Sequence, residues 1–188
     1  MSRWEPNARG RLEQAALELY RERGFDQTTV AEIAERAGLT ERTFFRYYAD
    51  KREVLFWGQE KLREIYVSTI AAAPDSTAPI DAVAAALEAA TPVFRERHEL
   101  ARQRQAVIAA NPGLQERELL KRAWLADAMA AALRDRGVPE PAASLAAESG
   151  VIAFKTAYAR WVTEPGEPDL SQLIRESLDQ LKVMAAGR

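Results

Sequence analysis

Apolar residues recur at helical spacing along almost the whole chain. Near the start they fall at Leu12, Ala15, Ala16, Leu19 and Tyr20, which places them on one face of a helix. No strand-like alternation of apolar and polar residues lasts beyond a few positions. The pattern predicts an all-α protein of about nine helices, over residues 8–23, 29–37, 40–48, 51–72, 80–97, 99–110, 114–136, 142–163 and 169–184.

The second and third predicted helices are short and are joined by a turn at Gly38. Thr29 and Glu32 have the spacing of a capping box, and Thr40 can cap the third helix. A second pair of this kind, Asp50-x-x-Glu53, predicts the start of the long fourth helix. Two short capped helices around a glycine indicate a helix-turn-helix.

The composition narrows the chemistry that the chain can perform. Apolar residues make up 47% of the 188 residues, which is enough for a packed core. No apolar run reaches about 18 residues, and the N-terminus lacks an apolar signal core, so we expect a cytoplasmic protein without a membrane span. The absence of cysteine excludes thiolate chemistry, and no nucleotide or nucleophile motif is present. We therefore expect neither an enzyme, nor a cofactor, nor a metal site.

The net charge of −2 does not by itself indicate a nucleic-acid-binding protein. The basic residues are concentrated locally instead. Within residues 39–52 the cations outnumber the two acidic residues, and they are Arg42, Arg46, Lys51 and Arg52.

The third predicted helix carries the side chains that are typical of a DNA-reading helix. Phe44 and Tyr48 lie on the side that would pack on the first two helices, so Arg42, Thr43 and Arg46 would project outward. Arg42 is the best candidate for base reading, because a guanidinium can bind O6 and N7 of guanine together. Arg46 could do the same or bind a phosphate. A plain three-helix bundle with solvated arginines is the alternative interpretation.

The first 55 residues resemble the DNA-binding domain of the TetR family of bacterial transcriptional regulators. The resemblance rests on residues in the same register over about forty positions. These residues are Ala16, Leu19, Gly24, Phe25, Thr28, Thr29, Ile33, Ala34, Ala37, Gly38, Thr43, Phe44, Tyr47, Lys51 and Leu55.

The resemblance also implies which side chains contact phosphate, and such contacts fix the register of the protein on DNA. Lys51 would join them because backbone N–H groups at the start of the fourth helix favour an anion. Phe45 departs from the family pattern, since many members have a tyrosine there. A phenyl ring cannot donate to phosphate, although it could pack on sugar or a thymine methyl. The implied phosphate contacts are Thr28 or Thr29, Thr40, Tyr47 and Lys51.

A single helix-turn-helix offers little binding surface, so two copies are expected on a palindromic operator, with half-sites about 34–36 Å apart or a multiple of that. By resemblance, the last two helices would form a four-helix bundle across a dyad. Packing of one seam inside its own subunit is the alternative. The candidate interface residues are Leu145, Ile152, Thr156, Trp161, Leu173, Ile174, Leu178 and Leu181.

From about residue 95 the chain is similar to an actinobacterial-type subgroup of the family, whose sensor domain is described as binding acyl-CoA-like ligands. Large side chains could line an apolar cavity for such a ligand, and arginines could neutralise its phosphates. Ordinary core packing or solvation is the alternative for each. The candidate pocket residues are Tyr66, Phe94, His98, Arg102, Trp124, Met129, Phe154 and Tyr158.

Together these features predict a helix-turn-helix DNA-binding domain over residues 1–55 and a ligand-sensing and dimerisation domain over residues 56–188. The main hypothesis is a homodimeric repressor that a small apolar or acyl-CoA-like molecule releases from its operator by tilting the fourth helix. One alternative is a TetR-like DNA binder without a metabolite ligand, controlled by a protein partner or by its own level. Another is a helical enzyme or lipid carrier, which leaves residues 40–51 unexplained.

Overall fold

The computed structural model describes residues 7–56, 58–95, 97–166 and 168–187. Within these ranges all regular structure is helical, and the prediction of an all-α fold with nine helices is confirmed. Two short 3-10 turns, at Glu53–Leu55 and Thr91–Phe94, lie between them. The helices are α1 (Ala8–Arg23), α2 (Val30–Arg36), α3 (Glu41–Tyr47), α4 (Gln59–Ala72), α5 (Pro79–Ala89), α6 (His98–Ala109), α7 (Pro112–Asp135), α8 (Ala142–Thr163) and α9 (Leu170–Ala185).

The fourth helix begins later than the sequence predicts, because a 3-10 turn precedes it. Asp50 lies before this turn rather than at the start of α4, and its carboxylate accepts from the backbone N–H groups of Arg52 at 2.7 Å and Glu53 at 3.2 Å. The Glu53 carboxylate instead accepts from the Arg117 guanidinium at 2.6 Å and 3.0 Å. A partner 64 positions away therefore binds the side chain that would have completed the capping box.

The chain forms two compact units. The first contains the described residues up to Phe56 together with Leu100–Glu118, and the second contains those of Gly58–Glu99 and those from Leu119 onward. Most of α6 and the first turns of α7 thus belong with the N-terminal helices. The chain therefore returns to the first unit after residue 99, and a single division at residue 55 does not describe this. The returning segment adds three side chains to the core of the first unit, which are Val107, Ile108 and Leu114.

Capping residues define the starts of α2 and α3. The Thr29 hydroxyl accepts from the Glu32 N–H at 3.2 Å, and the Glu32 carboxylate accepts from the Thr29 N–H at 2.8 Å. This pair confirms the predicted capping box. The Thr40 hydroxyl accepts from the Thr43 N–H at 3.2 Å, so Thr40 caps α3 as predicted.

The turn between α2 and α3 is held by backbone hydrogen bonds and by an arginine side chain of α1. Gly38 has a φ of 65°, and the Leu39 N–H donates to the Ala34 carbonyl at 2.8 Å, as in a Schellman motif. The Arg11 guanidinium, from α1, donates to the carbonyls of Ala37 and Gly38. A Cβ at position 38 would lie 2.7 Å from that guanidinium, which would have to shift, and the positive φ is what favours glycine there.

Helix α5 lies at the centre of the second unit, where α4, α8 and α9 all pack against it. Gly150 in α8 permits a close approach, because a Cβ there would lie 2.3 Å from Cγ1 of Val83. Small and branched side chains of α5 fill the contact, namely Ala82, Val83, Ala86 and Leu87. Within the described part of the chain, no helix is both long and apolar enough to cross a membrane.

Candidate DNA-binding surface

Helix α3 has one buried and one exposed face. Phe44 and Tyr48 are buried in the core of the first unit, with 0% and 3% of their surface exposed. Arg42 and Arg46 are exposed on the opposite side, as is Phe45 with 55% of its surface exposed. The outward face of α3 therefore presents two guanidinium groups around a phenyl ring.

Thr40 and Thr43 lie at the start of α3, with their hydroxyl oxygens 3.1 Å apart. One hydroxyl of the pair donates to the other, which leaves the second hydrogen available. Thr40 is exposed and Thr43 is half-buried. The pair can thus donate one hydrogen bond to a phosphate oxygen while Thr40 still caps the helix.

Thr28 and Thr29 occupy different environments. Thr28 is only 1% exposed, and its hydroxyl donates to the Gly24 carbonyl at 2.9 Å. Thr29 is exposed, although its hydroxyl already bonds to Glu32. The Thr28 side chain is therefore removed from the candidate contacts, because burial keeps it from any phosphate.

Tyr47 lies between two arginines from different helices. The guanidinium carbon of Arg46 is 5.0 Å from the ring centroid, and that of Arg9 in α1 is 5.6 Å from it. Arg46 also donates to the Tyr47 hydroxyl at 3.3 Å, and the Tyr48 hydroxyl donates to the Arg9 carbonyl at 3.4 Å. Cation–π contacts of this kind hold both guanidiniums beside the phenol.

Arg9 is a candidate contact that sequence reasoning missed. It lies in the first turn of α1, and its sequence neighbours do not distinguish it from the other arginines of that helix. Only the tertiary packing of α1 on α3 brings it beside Tyr47. The Thr29 hydroxyl already gives its hydrogen to the Glu32 carboxylate, so the candidate phosphate-binding groups are the Thr40–Thr43 pair, Arg9, Arg46 and Tyr47.

The Lys51 ammonium is bound to the protein itself. It donates to the carbonyls of Phe25 at 2.8 Å, Asp26 at 3.2 Å and Thr28 at 2.9 Å, which uses all three of its hydrogens. It also lies 4.5 Å from the centroid of the Phe25 ring. Lys51 precedes a 3-10 turn rather than a long helix. The structure thus gives its ammonium a positioning role in the α1–α2 loop, in place of the expected phosphate contact.

Tyr20 fixes the backbone of the same residue. Its hydroxyl donates to the Lys51 carbonyl at 2.6 Å. Burial, with a smaller contribution from the Asp50 carboxylate, raises the pKa of Tyr20. The phenol therefore stays neutral and remains a donor. Lys51 is thus bound at its main-chain carbonyl by Tyr20 and at its ammonium by the loop carbonyls.

Arg104 of α6 bonds to the end of the helix-turn-helix segment. Its Nε donates to the Leu55 carbonyl at 2.6 Å, and its Nη1 donates to Glu118 at 3.1 Å. The guanidinium also lies 5.1 Å from the ring centroid of Phe56. Both members of the ion pair are largely buried, with side chains 18% and 11% exposed. The contacts of Arg104 and Arg117 attach the returning segment to the end of the helix-turn-helix segment.

The structure brings together four of the predicted pocket residues in the second unit. The Phe94 ring lies 5.6 Å from Phe154 and 5.8 Å from Tyr158, measured between centroids. His98 contacts Trp161 at 4.8 Å between rings, and its Nε2 is 2.6 Å from the Trp161 carbonyl oxygen. Since a carbonyl only accepts, Nε2 carries the hydrogen. We refer to these five side chains as the aromatic cluster.

The other predicted pocket residues have different surroundings. Tyr66 and Met129 are buried core residues, with 2% and 0% of their surface exposed, and burial raises the pKa of Tyr66. Trp124 has the Arg63 guanidinium 5.6 Å from its ring centroid. Arg102 is exposed and belongs to the first unit rather than the second.

The predicted dimer seam divides into two sets of residues. Trp161, Leu173, Ile174 and Leu178 are each no more than 6% exposed, so they pack inside their own subunit and are corrected to core residues. The remaining four stay accessible. Leu145 is 64% exposed, Ile152 is 51% exposed, Thr156 is exposed and Leu181 is half-buried. A groove of about 610 Å³ runs between α8 and α9 at Ile152, Thr156 and Leu181.

A helix-turn-helix with an arginine-bearing exposed face, joined to a larger helical unit, is the arrangement of a DNA-binding regulatory protein. The family model described as "Bacterial regulatory proteins, tetR family" matches residues 13–56. A second model, "MftR C-terminal domain", matches residues 77–185, more than half of the chain. The chain belongs to the TetR family of bacterial regulatory proteins, with a C-terminal domain of the MftR type. Both are families of regulators and not of enzymes.

Two curated relatives support the same assignment. The HTH-type transcriptional regulator TcmR of Streptomyces glaucescens is 35% identical over 81 residues, which are 43% of this chain and 36% of TcmR. MftR of Mycobacterium tuberculosis, assigned as a mycofactocin biosynthesis transcriptional regulator, is 33% identical over 105 residues, 55% of this chain and 52% of MftR. The matched region spans about half or less of these relatives.

The fold is also that of a solved structure, the transcriptional regulator FadR from Bacillus subtilis in complex with stearoyl-CoA. The TM-score is 0.62 at 20% sequence identity, and the match covers 92% of this chain and 96% of FadR. At this identity the likeness shows the fold alone.

Replacing Lys51 with methionine keeps the aliphatic stem and removes the three hydrogen bonds to the α1–α2 loop. Because bonds to a charged donor contribute about 1.5–3 kcal/mol, we expect the free energy of unfolding to fall by about 2 kcal/mol. Urea denaturation measures this change. The matched control is Lys61→Met, which removes one exposed contact of 3.4 Å to Glu64 and should change stability by less than about 0.5 kcal/mol. Equal effects of the two substitutions would contradict the positioning role.

Proposed function

We propose that this protein is a homodimeric transcriptional repressor of the cytoplasm that binds a palindromic operator and is released by an acyl-CoA-like molecule. The observation that carries the DNA-binding part is the exposed face of α3. Its arginines project to solvent while Phe44 and Tyr48 anchor the helix from behind. An α-helix supported in this way fits the major groove.

Base reading is assigned to Arg42, and backbone binding to the residues around it. Arg46 and Arg9 both contact the Tyr47 ring, and Arg42 is not part of that pair. Two guanidiniums on one phenol form a compact cationic patch, which suits a phosphate better than a base edge. This local patch supports DNA binding despite the net charge of −2.

Dimerisation is assigned to the exposed side of α8 and α9. Leu145, Ile152 and Thr156 follow one another at helical spacing, and Leu181 and the 72% exposed Met184 flank the groove on α9. Large apolar side chains exposed along one face mark an interaction site. The same face of a second subunit would cover them and complete a four-helix bundle.

Effector binding is assigned to the aromatic cluster in the second unit. Phe94, Phe154 and Tyr158 are only half-buried, so their rings retain apolar surface that an acyl chain could cover. The FadR structure, which shares this fold and was solved with stearoyl-CoA, supports a ligand of this class.

The effector would act on DNA affinity by favouring one of two states of the protein. Helix α7 is continuous in sequence between the units, since Arg117 and Glu118 belong to the first and the residues from Leu119 belong to the second. A change in the part of α7 that belongs to the second unit would then be transmitted along one helix to the contacts that Arg117 and Glu118 make. This route replaces the expected tilt of a fourth helix that starts at residue 51.

Truncation of Arg42 and of Arg9 should affect DNA binding differently. With an operator obtained by selection from random duplexes, Arg42→Ala should lower affinity about tenfold or more and relax the sequence preference at one position of each half-site. Arg9→Ala should weaken all sequences alike and reduce the salt slope by about one for each subunit. Titrations by fluorescence anisotropy at several salt concentrations measure both. Arg175→Ala on α9 is the control, and unchanged binding by all three variants would contradict the assigned surface.

Substitution of Ile152 with arginine should separate the subunits without unfolding them, because the side chain is 51% exposed in a single subunit. A charge buried in an apolar interface is costly, so we expect a monomer in analytical ultracentrifugation and a loss of operator affinity of at least about tenfold. Circular dichroism checks that the helices remain. Leu120→Arg, at a 58% exposed residue of α7, is the matched control and should stay dimeric. A dimeric Ile152→Arg variant would place the interface elsewhere.

Stearoyl-CoA should lower operator affinity at least about fivefold, while free CoA should not, because the acyl chain supplies the apolar contact. Phe154→Ala should weaken this response and leave ligand-free operator affinity unchanged. Anisotropy titrations with lauroyl-, palmitoyl- and stearoyl-CoA provide the measurement. If no acyl-CoA changes operator affinity, the effector assignment fails and the alternative remains, a TetR-type DNA binder controlled by a protein partner or by its own level.

A further inference from the structure

We propose that Phe45 determines part of the DNA sequence preference by packing on the 5-methyl group of a thymine in the major groove. This inference rests on the proposed role of α3 as the DNA-reading helix. It goes further by giving one apolar side chain of that helix a defined base as its partner.

The position of the Phe45 ring is fixed by the core beneath it. Its centroid is 5.5 Å from that of Phe44, with an angle of 82° between the rings. Phe44 is itself fully buried, so the edge-to-face contact supports Phe45 from the protein side. The other side of the ring is open, since 55% of the residue is exposed. The ring is therefore held in place before any ligand arrives.

The neighbours of Phe45 define what its open side would meet. Arg42 precedes it by three positions and Arg46 follows it, so all three lie on the exposed face of α3. The two guanidiniums are suited to guanine edges and phosphates, both of which are polar. A phenyl ring between them has no group that could bond to either. Its favourable partner on DNA is an apolar one.

In the major groove the thymine methyl is the apolar group that a base edge presents. A contact with deoxyribose would leave the ring on the backbone side and would not depend on sequence. Phe45 lies on the same face of α3 as Arg42, the assigned base reader. This favours a contact of the ring with a base in the major groove over a contact with the sugar. The contact would bury about one methyl group, which corresponds to roughly a fourfold change in affinity for each half-site.

Replacement of thymine by deoxyuridine tests the contact, because it removes the methyl and keeps every hydrogen-bonding group. The full-length protein is first used to select an operator from random duplexes. Each thymine of that operator is then replaced in turn, on both half-sites together. Wild type, Phe45→Ala and Phe45→Leu are titrated on every duplex by anisotropy, and thymines outside the selected site serve as controls.

We expect one replacement in each half-site to weaken the wild type about fourfold per half-site. The same replacement should not change the affinity of Phe45→Ala, while Phe45→Leu should keep part of the sensitivity. Thermal melts should be similar for all three, since the side chain is largely exposed. This pattern in the double-mutant cycle reports a direct contact, since changes in DNA shape would affect all variants alike.

Two other outcomes would overturn the inference. If deoxyuridine affects no position, or affects wild type and Phe45→Ala equally, then Phe45 does not read a methyl group. If Phe45→Ala weakens all duplexes uniformly, the ring packs on the backbone. Both leave DNA binding through α3 intact. Failure to select any operator would instead refute the proposed function itself, so the two failures are distinguishable.

Discussion

The helix-turn-helix depends on side-chain partners for the backbone carbonyls of its turns. Backbone N–H groups already bind the carbonyls of Ile33, Ala34 and Glu35 at the end of α2, whereas the carbonyls that follow in the turn bind a side chain. Arg11 binds the carbonyls at the end of α2, and Lys51 binds those of the loop before it. The positive charges of Arg11 and Lys51 therefore bind main-chain oxygens within the first unit. These bonds fix the loop and the turn that position α3.

This constraint also explains why the exposed basic surface is small. Lys51 and Arg11 bind main-chain oxygens, while Arg104 and Arg117 bind the 3-10 turn and its neighbours. The cations that face solvent around α3 are chiefly Arg42, Arg46 and Arg9. Under the proposed function, affinity for DNA would come from few contacts in each subunit, and this would make a second subunit on the operator important.

Local features of the structure could be predicted from the sequence, and non-local ones could not. The Thr29–Glu32 capping box and the glycine turn involve residues within about four positions of one another, so spacing alone indicates them. Spacing cannot indicate that the Glu53 carboxylate binds Arg117, because the two residues are 64 positions apart in the sequence. The same holds for Arg9 beside Tyr47. Helical periodicity identified apolar seams on α8 and α9, but it cannot distinguish Leu173, which is buried in its own subunit, from Ile152, which is exposed.

The return of α6 and α7 to the N-terminal helices changes what counts as a transferable DNA-binding module. A fragment that ends at Phe56 would lack Val107, Ile108 and Leu114 from its core and would leave the Leu55 carbonyl without Arg104. The unit that reads DNA is therefore discontinuous in the chain. Exchange of DNA-binding specificity between relatives, in evolution or by recombination, would have to preserve the match between residues 7–56 and residues 100–118, even though about forty residues of the other unit separate them.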